Sequence, residues 1–218
     1  MLRVSRNVAC LGYLRSMQRC RPTTLAVDAL LVGCPGTVLS VFGPSSLRPP
    51  AGPLPLEGFV LRLPDERDVD ALVRFGDDPD TAESQWLPIP SPCPRAEAKR
   101  RLRSAFGSML VIADAAGDLA GVVSLGPRGA AVELAYGVAP QLRNRGIATA
   151  ALGSVSGWCL EQPGVERVEL RIAPANLASR RVAAKAGFEC LSVERTRVPA
   201  TGEEHDDLLY VIRGTAGP

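Results

Sequence analysis

A short basic run in the second half of the chain contains residue types that suit a phosphate group. The run extends from Val138 to Thr149 and includes Arg143, Arg145 and Gly146, between an apolar segment typical of a strand and one typical of a helix. The first backbone N–H groups of a helix have no partner within it and lie at the positive end of its dipole, so a helix start favours an anion. The glycine spacing matches neither the dinucleotide-binding fingerprint nor the Walker loop. Two interpretations stay open: a phosphate-binding loop, or an ordinary strand-to-helix turn with surface arginines.

The order of the elements around this run predicts one mixed α/β domain. Apolar residues at alternating or helical spacing, separated by Gly, Pro and Asp, define these elements. We predict strands at 59–63, 108–113, 119–125, 130–138, 165–172, 188–197 and 207–212, and helices at 66–75, 95–106, 146–160 and 176–186. This order indicates an α/β fold with a single core over residues 57–218.

Residues 1–56 differ in composition from the rest of the chain. They hold six Arg and one acidic residue, a net charge of +5, whereas residues 57–218 carry −3, which gives the formal total of +2. Gly and Pro interrupt the longest uncharged run of this segment, which argues against a membrane-spanning helix. We therefore expect a poorly ordered, basic extension that contains Pro and Gly, with an organellar transit peptide as the alternative. The total charge is too small to indicate a nucleic-acid partner.

Three sequence motifs follow one another within residues 57–218. They are Glu133-Leu134-Ala135-Tyr136, then Arg143-x-x-Gly146-x-Ala148, and then Asn176-x-x-Ser179 followed by Lys185-x-Gly187-Phe188. The second and third resemble the two motifs of the GNAT superfamily of acyl-CoA-dependent N-acetyltransferases in type, order and separation. The first resembles the Glu-x-Gly-Tyr strand of the Rim-type subgroup, which contains the ribosomal-protein N-terminal acetyltransferases. The resemblance extends over about residues 59–213, nearly the whole predicted domain.

The resemblance implies a GNAT-like acyl-CoA N-acyltransferase fold, a splayed, mostly antiparallel sheet of about seven strands flanked by helices. Acetyl-CoA, as co-substrate and without a metal, would lie in the gap between the strands at 130–138 and 165–173. Its pantetheine would pair with the first of these strands and receive a hydrogen bond from the helix that follows the second, while its pyrophosphate would bind the amides of the basic loop. The implied contact residues are Gly137, Val138, Ala139, Arg143, Asn144, Arg145, Gly146, Ile147, Ala148, Thr149 and Asn176.

The resemblance also implies an N-acetyltransferase in which an amine attacks the thioester directly. Such a reaction needs a neutral amine, stabilisation of an oxyanion and a proton for the leaving thiolate. Glu133 is expected to act as the base through water, because a carboxylate of pKa about 4.3 is a poor base toward an amine unless burial raises that pKa. Ser179 is expected to hydrogen-bond to the leaving sulfur, since Ala183 replaces the tyrosine acid of many relatives.

Each of these side chains also has a purely structural interpretation. Glu133 would then be a salt-bridged or solvated strand residue, and Ser179 would bond to backbone groups near the helix start. Tyr136 lies on the opposite face of its strand from Glu133, which favours a core position over the acceptor pocket.

Acidic residues on the predicted acceptor side favour a cationic amine, with solvated loop charges as the alternative. They are Asp77, Asp78, Asp80 and Glu83 beside Trp86, and Glu203 and Glu204 with His205 on an opposing turn.

Six scattered cysteines without a CxxC pair, and a single histidine, indicate reduced thiols and argue against a zinc site or a disulfide framework. We therefore expect a cytoplasmic protein, a monomer or homodimer, whose partners are acetyl-CoA and an amine acceptor, with no nucleic acid and no membrane. Two other functions stay open: a catalytically silent acyl-CoA-binding module that acts as a sensor or partner domain, and a nucleotide-phosphate protein that uses the same loop.

Overall fold

The chain forms a single eight-stranded sheet with helices on both faces. The computed structural model describes residues 47–77, 92–104, 109–197 and 204–214. The strands are β1 (Leu54–Leu56), β2 (Phe59–Arg62), β3 (Met109–Asp114), β4 (Leu119–Arg128), β5 (Ala131–Val138), β6 (Arg167–Ile172), β7 (Glu189–Arg197) and β8 (Glu204–Arg213). The helices are α1 (Asp68–Asp77), α2 (Arg95–Ser104), α3 (Ile147–Leu160) and α4 (Leu177–Lys185), with a short 3-10 helix at Pro140–Leu142.

The strand order is β1-β2-β3-β4-β5-β6-β8-β7, and only the β5–β6 pair is parallel. Strands β5 and β6 can pair in parallel because α3 lies between them in the chain and provides the long crossover that a parallel pair needs. The predicted α/β fold with a mostly antiparallel, splayed sheet is thus confirmed. Each predicted strand and helix that falls in the described ranges is present within a few residues of its expected limits.

The sheet begins earlier than the sequence indicates. Strand β1 pairs with β2 from Leu54 opposite Leu61 to Leu56 opposite Phe59. It makes the sheet one strand larger than the expected seven, and it lies at the end of the segment predicted to be an extension. Leu47, also within that segment, is 7% exposed and packs in the core. Residues 1–46 lie outside the described residues.

Neighbouring side chains of β4 point to opposite faces of the sheet and enter two separate cores. On one face, Val123 packs with Ile147, Leu152 and Val155, which form the apolar stripe of α3. On the other face, Val122 packs with the α1 and α2 residues Val69, Leu72, Phe75 and Leu102. None of the helices in the described ranges has the length and apolar character needed to cross a membrane.

Strands β5 and β6 separate soon after they begin to pair. Their parallel ladder consists of Ala131 opposite Arg167, Val132 opposite Val168 and Glu133 opposite Glu169. Beyond Glu133, β5 continues to Val138 with β4 on one side only. The gap predicted between these two strands is therefore present, and within the described ranges one edge of the second half of β5 has no strand partner.

Candidate active site

The loop after β5 turns sharply before α3 begins. Two residues of the loop adopt left-handed backbone angles, Asn144 with φ 61° and Gly146 with φ 79°. Gly146 is the N-cap residue of α3, and an ideal Cβ placed on it meets no atom within 4 Å. Glycine suits this position because it adopts a left-handed φ easily. The space in front of Gly146 is open. The helix start therefore has room for a ligand that approaches the backbone closely.

The backbone N–H groups at this helix start point to no acceptor within the described residues. The Arg143 N–H donates to the Pro140 carbonyl at 3.2 Å, and the next donor with a backbone acceptor is Ala150, which donates to Gly146 at 3.0 Å. The segment between them carries the predicted phosphate contacts Asn144, Arg145, Gly146, Ile147, Ala148 and Thr149. Unpaired N–H groups at the positive end of a helix form a site for an anion, so the residues fit the pyrophosphate of an acyl-CoA.

Arg143 takes a position that the sequence did not indicate. Its Nε donates to the Val138 carbonyl at 3.2 Å, so the side chain folds back on the end of β5. The predicted role of Arg143 was added positive charge near a phosphate. The bond to Val138 holds the loop against the strand while the residue stays exposed to solvent, so the charge role of Arg143 remains a prediction.

The predicted pantetheine contacts Gly137, Val138 and Ala139 lie at the end of β5, beside the gap. On the far side of the strand, Gly137 and Val138 pair with β4, and the Ala139 N–H donates to the Ala120 carbonyl at 2.9 Å. The β4 backbone comes unusually close here, since a Cβ on Gly121 would lie 2.4 Å from the Gly137 carbonyl oxygen. A glycine at position 121 therefore allows the two strands to lie this close together, and the contact determines where the end of β5 that borders the gap lies.

Asn176 and Ser179 lie together at the start of α4, on the β6 side of the gap. Asn176 is the N-cap residue, and its side-chain oxygen accepts a hydrogen bond from the Ser179 N–H at 3.0 Å. Its NH2 group donates to no described residue, which leaves that group for the predicted bond to pantetheine. The Ser179 hydroxyl does not bond to the backbone of its helix; its Oγ accepts a hydrogen bond from the Tyr136 hydroxyl at 2.9 Å. Tyr136 itself packs against the core around α3.

Glu133 lies at the last paired position of β5 and is the centre of a buried ionic network. Its carboxylate is 2.8 Å from Arg171 Nη1 and 3.3 Å from Arg128 Nη1, and the residue is 6% exposed. The same Arg171 guanidinium also contacts Glu169 at 3.2 Å and Glu194 at 2.8 Å. Glu133 is therefore ion-paired, as the structural interpretation of the sequence predicted. It also lies at the edge of the gap, where the interpretation as a catalytic base requires it.

Burial raises the pKa of Glu133 from its ordinary 4.5 to about 7. Arg171 acts in the opposite direction, but its one positive charge is shared among three carboxylates, and the charges of the neighbouring acids raise the pKa further. A carboxyl group with this pKa exchanges a proton near neutral pH. The raised pKa of Glu133 is the condition stated above for this carboxylate to act as a general base toward an amine.

The partners of Glu133 were not apparent from the sequence. Arg167, Glu169 and Arg171 alternate along β6, so all three lie on the face of the sheet that carries Glu133. That alternation was visible as a charged face of a strand. The role of these charged residues depends on β5 and β7, because those strands bring Glu133 and Glu194 to Arg171 from positions far apart in the sequence.

The predicted acceptor-side residues are only partly covered by the structure. Asp77 accepts a hydrogen bond from the Cys93 backbone N–H. His205 Nε2 lies 3.1 Å from the Asp207 carboxylate, and Glu204 forms an ion pair with Arg195 at 3.0 Å. The described residues contain no group of three or more His, Cys, Asp or Glu side chains arranged to hold a metal ion. The other predicted residues on this side lie outside the described ranges: Asp78, Asp80, Glu83, Trp86 and Glu203.

Comparison with known proteins defines the class of this chain. Residues 59–189, more than half of the sequence, match the family described as the acetyltransferase (GNAT) domain. The chain therefore belongs to the GNAT acetyltransferase family, as the motifs predicted. A search of curated proteins finds no significant match.

Solved structures show the same fold. A GNAT-family acetyltransferase from Bacillus anthracis aligns with a TM-score of 0.65 at 18% identity, over 74% of this chain and 98% of its own. Mycobacterium smegmatis RimJ in complex with CoA-disulfide aligns with a TM-score of 0.62 at 25% identity, over 74% of this chain and 86% of its own. Vibrio cholerae spermidine N-acetyltransferase with CoA and spermine aligns with a TM-score of 0.59 at 16% identity, over 72% of this chain and 94% of its own.

Proposed function

We propose that this chain is an N-acetyltransferase that transfers an acetyl group from acetyl-CoA to a primary amine by direct attack on the thioester. The observation that carries the proposal is the junction of two features at the end of β5. The unpaired edge of β5 borders the gap, and the unpaired amides of residues 144–149 follow directly after it. One extended molecule with a phosphate end and an amide-containing arm can occupy both.

In this proposal the backbone of the α3 start binds the pyrophosphate, and Arg145 adds positive charge beside it. The edge of β5 around Val138 hydrogen-bonds to the amides of the pantetheine arm, while the Gly137 carbonyl and the Ala139 N–H on either side of it face β4. The Asn176 NH2 group bonds to the same arm from the other side of the gap. Acetyl-CoA supplies the activated acetyl group. The protein supplies the shape, the donors and the proton-accepting group.

Glu133 receives the proton of the incoming ammonium through water, since its raised pKa of about 7 brings it closer to that of an amine. Ser179 presents its hydroxyl to the leaving sulfur. Both residues border the gap, and Glu133 lies on one face of β5 while Ser179 lies beyond the opposite face. A thioester within the gap therefore has a proton acceptor on one side and a hydroxyl donor on the other.

The acceptor is a cationic amine, either a protein N-terminus or a small molecule. A cationic acceptor is supported by the structure of the same fold named spermidine N-acetyltransferase, which contains CoA and spermine. The three carboxylates beside the gap are paired with Arg128, Arg167 and Arg171, so they do not by themselves select a cation. Action in the cytoplasm, as a monomer or homodimer without nucleic acid, membrane or metal, stays a prediction. Of the cysteines in the described ranges, Cys159 and Cys190 are free thiols.

A thiol-release assay with a panel of amines tests the proposal. Purified protein is mixed with acetyl-CoA and with N-terminal peptides of ribosomal proteins, polyamines or aminoglycosides, and free CoA is measured. We expect amine-dependent CoA release that Glu133→Gln reduces strongly. Tight CoA binding without release from any amine would instead support the catalytically silent module.

A further inference from the structure

A hydrogen bond between side chains joins the two sides of the gap. Backbone pairing between β5 and β6 ends at Glu133 and Glu169, and Tyr136 lies beyond that point on β5. Ser179 lies in the first turn of α4, which follows β6. The bond of 2.9 Å from the Tyr136 hydroxyl to Ser179 Oγ therefore crosses the region where the strands have separated.

The direction of this hydrogen bond determines what the serine can do. The Tyr136 phenol is the donor and Ser179 Oγ the acceptor, because a phenol is a far stronger acid than a serine hydroxyl. Burial raises the pKa of Tyr136 above its ordinary 10, more than the bond to Ser179 lowers it, so the phenol keeps this proton at neutral pH. A hydroxyl oxygen that accepts a hydrogen bond still has its own hydrogen to donate. The Ser179 N–H is already bonded to Asn176 at 3.0 Å, so the helix start and the tyrosine together fix where the serine oxygen lies.

We propose that Tyr136 is a positioning residue that directs the Ser179 hydroxyl hydrogen toward the sulfur of the bound thioester. The inference rests on the function proposed above, because it requires the CoA sulfur to lie in the gap. No proton leaves Tyr136: the tyrosine holds the serine oxygen, and the serine donates a hydrogen bond to the sulfur. Because bonds to charged groups are stronger than bonds to neutral ones, this bond strengthens as negative charge develops on the leaving sulfur.

A purely structural role for the same hydrogen bond makes different predictions. If the bond only held β5 and α4 together, its loss would lower thermal stability and CoA affinity whether or not Ser179 carried a hydroxyl group. If Tyr136 acts through Ser179, its hydroxyl matters only while the serine hydroxyl is present. A double-mutant cycle separates the two.

The first experiment measures kcat and KM for acetyl-CoA in Tyr136→Phe, Ser179→Ala and the double variant. We expect Tyr136→Phe to lower kcat about tenfold with KM changed less than about twofold, and the double variant to be no slower than Ser179→Ala. Tyr210→Phe removes a hydroxyl from a buried tyrosine of β8 and is the matched control, with unchanged kcat. Equal kcat in Tyr136→Phe and the natural protein, or additive losses in the double variant, would overturn the inference.

The second experiment needs no turnover and compares the affinities of CoA and desulfo-CoA by calorimetry. One hydrogen bond to the sulfur predicts that the natural protein prefers CoA by about threefold to tenfold, and that Tyr136→Phe and Ser179→Ala both lose this preference. The same preference in Tyr136→Phe as in the natural protein would overturn this inference and leave the proposed function intact. Absence of CoA binding in the natural protein would overturn both.

Discussion

At the level of single residues, Glu133 combines burial with an incomplete charge balance. Three carboxylates share the guanidinium of Arg171, which is almost fully buried, while Arg128 and Arg167 reach the cluster from more exposed positions. Removing a charge from water costs free energy that the pairing only partly returns. The resulting pKa of about 7 means that part of the population at neutral pH carries the deprotonated Glu133 carboxylate, which is the form that accepts a proton from the amine.

This charge balance predicts how stability depends on pH. The folded protein keeps the Glu133 proton up to about pH 7, whereas the unfolded chain loses it near 4.5. Between these values the folded state binds more protons, so the free energy of unfolding falls as pH rises, by about 3 kcal/mol from this group. Glu133→Gln carries no titrating group and loses that part of the pH dependence.

Denaturant unfolding at about pH 5 and about pH 8 measures the effect. Going from the lower to the higher pH, the natural protein is expected to lose more stability than Glu133→Gln. The exposed Glu161 lies outside the cluster, so Glu161→Gln is expected to follow the natural protein. Parallel stabilities of the natural protein and Glu133→Gln at both pH values would contradict the raised pKa.

At the level of elements, the proposed phosphate site depends on how α3 begins. Gly146, with its left-handed backbone, ends the loop. The N–H groups of residues 144–149 have no acceptor among the described residues. In the proposed function the backbone is the main anion-binding element, so a change in backbone access has a larger expected effect than the loss of one arginine. Arg143, whose Nε bonds to the Val138 carbonyl, also holds the loop against β5.

Gly146→Asp tests this element. The variant places a carboxylate in front of the unpaired N–H groups, so we expect CoA affinity to fall at least about tenfold, or about 1.4 kcal/mol. Gly153→Asp adds the same charge to an exposed position of α3, where a Cβ meets nothing within 4 Å, and is expected to bind CoA normally. Gly146→Ala shows how much of the loss comes from the φ of 79° alone. Undiminished CoA affinity in folded Gly146→Asp would remove the phosphate assignment.

At the level of the whole molecule, the fold is largely predictable from local patterns. The apolar spacing and Gly146 placed the start of α3 within one residue, because these signals lie within the helix itself. Strand β1 was missed because three residues around Pro55 give no alternation, although the left-handed Gly58 before β2 is typical of a tight turn. The Arg171 network and the Tyr136–Ser179 bond join residues distant in sequence, and only the tertiary structure brings them together.

The extent of the folded unit can be tested by truncation. Removal of residues 1–46 keeps Leu47 and β1, so we expect the melting temperature and CoA affinity to be unchanged. Removal of residues 1–56 takes away a buried leucine and a strand, and burial of one such side chain contributes about 1.5–3 kcal/mol. A clear fall in melting temperature is expected for the longer truncation only. An equal fall for the shorter one would show that residues 1–46 pack on the domain.

The proposed function requires that one acyl-CoA molecule occupies both the gap and the start of α3. Calorimetric titration of the full chain with CoA, and separately with ATP, tests it most directly. We expect a single CoA site, with ATP bound far more weakly because it has no pantetheine arm to bond to β5. Heat and a thermal shift with ATP but not with CoA, or with neither, would contradict the account.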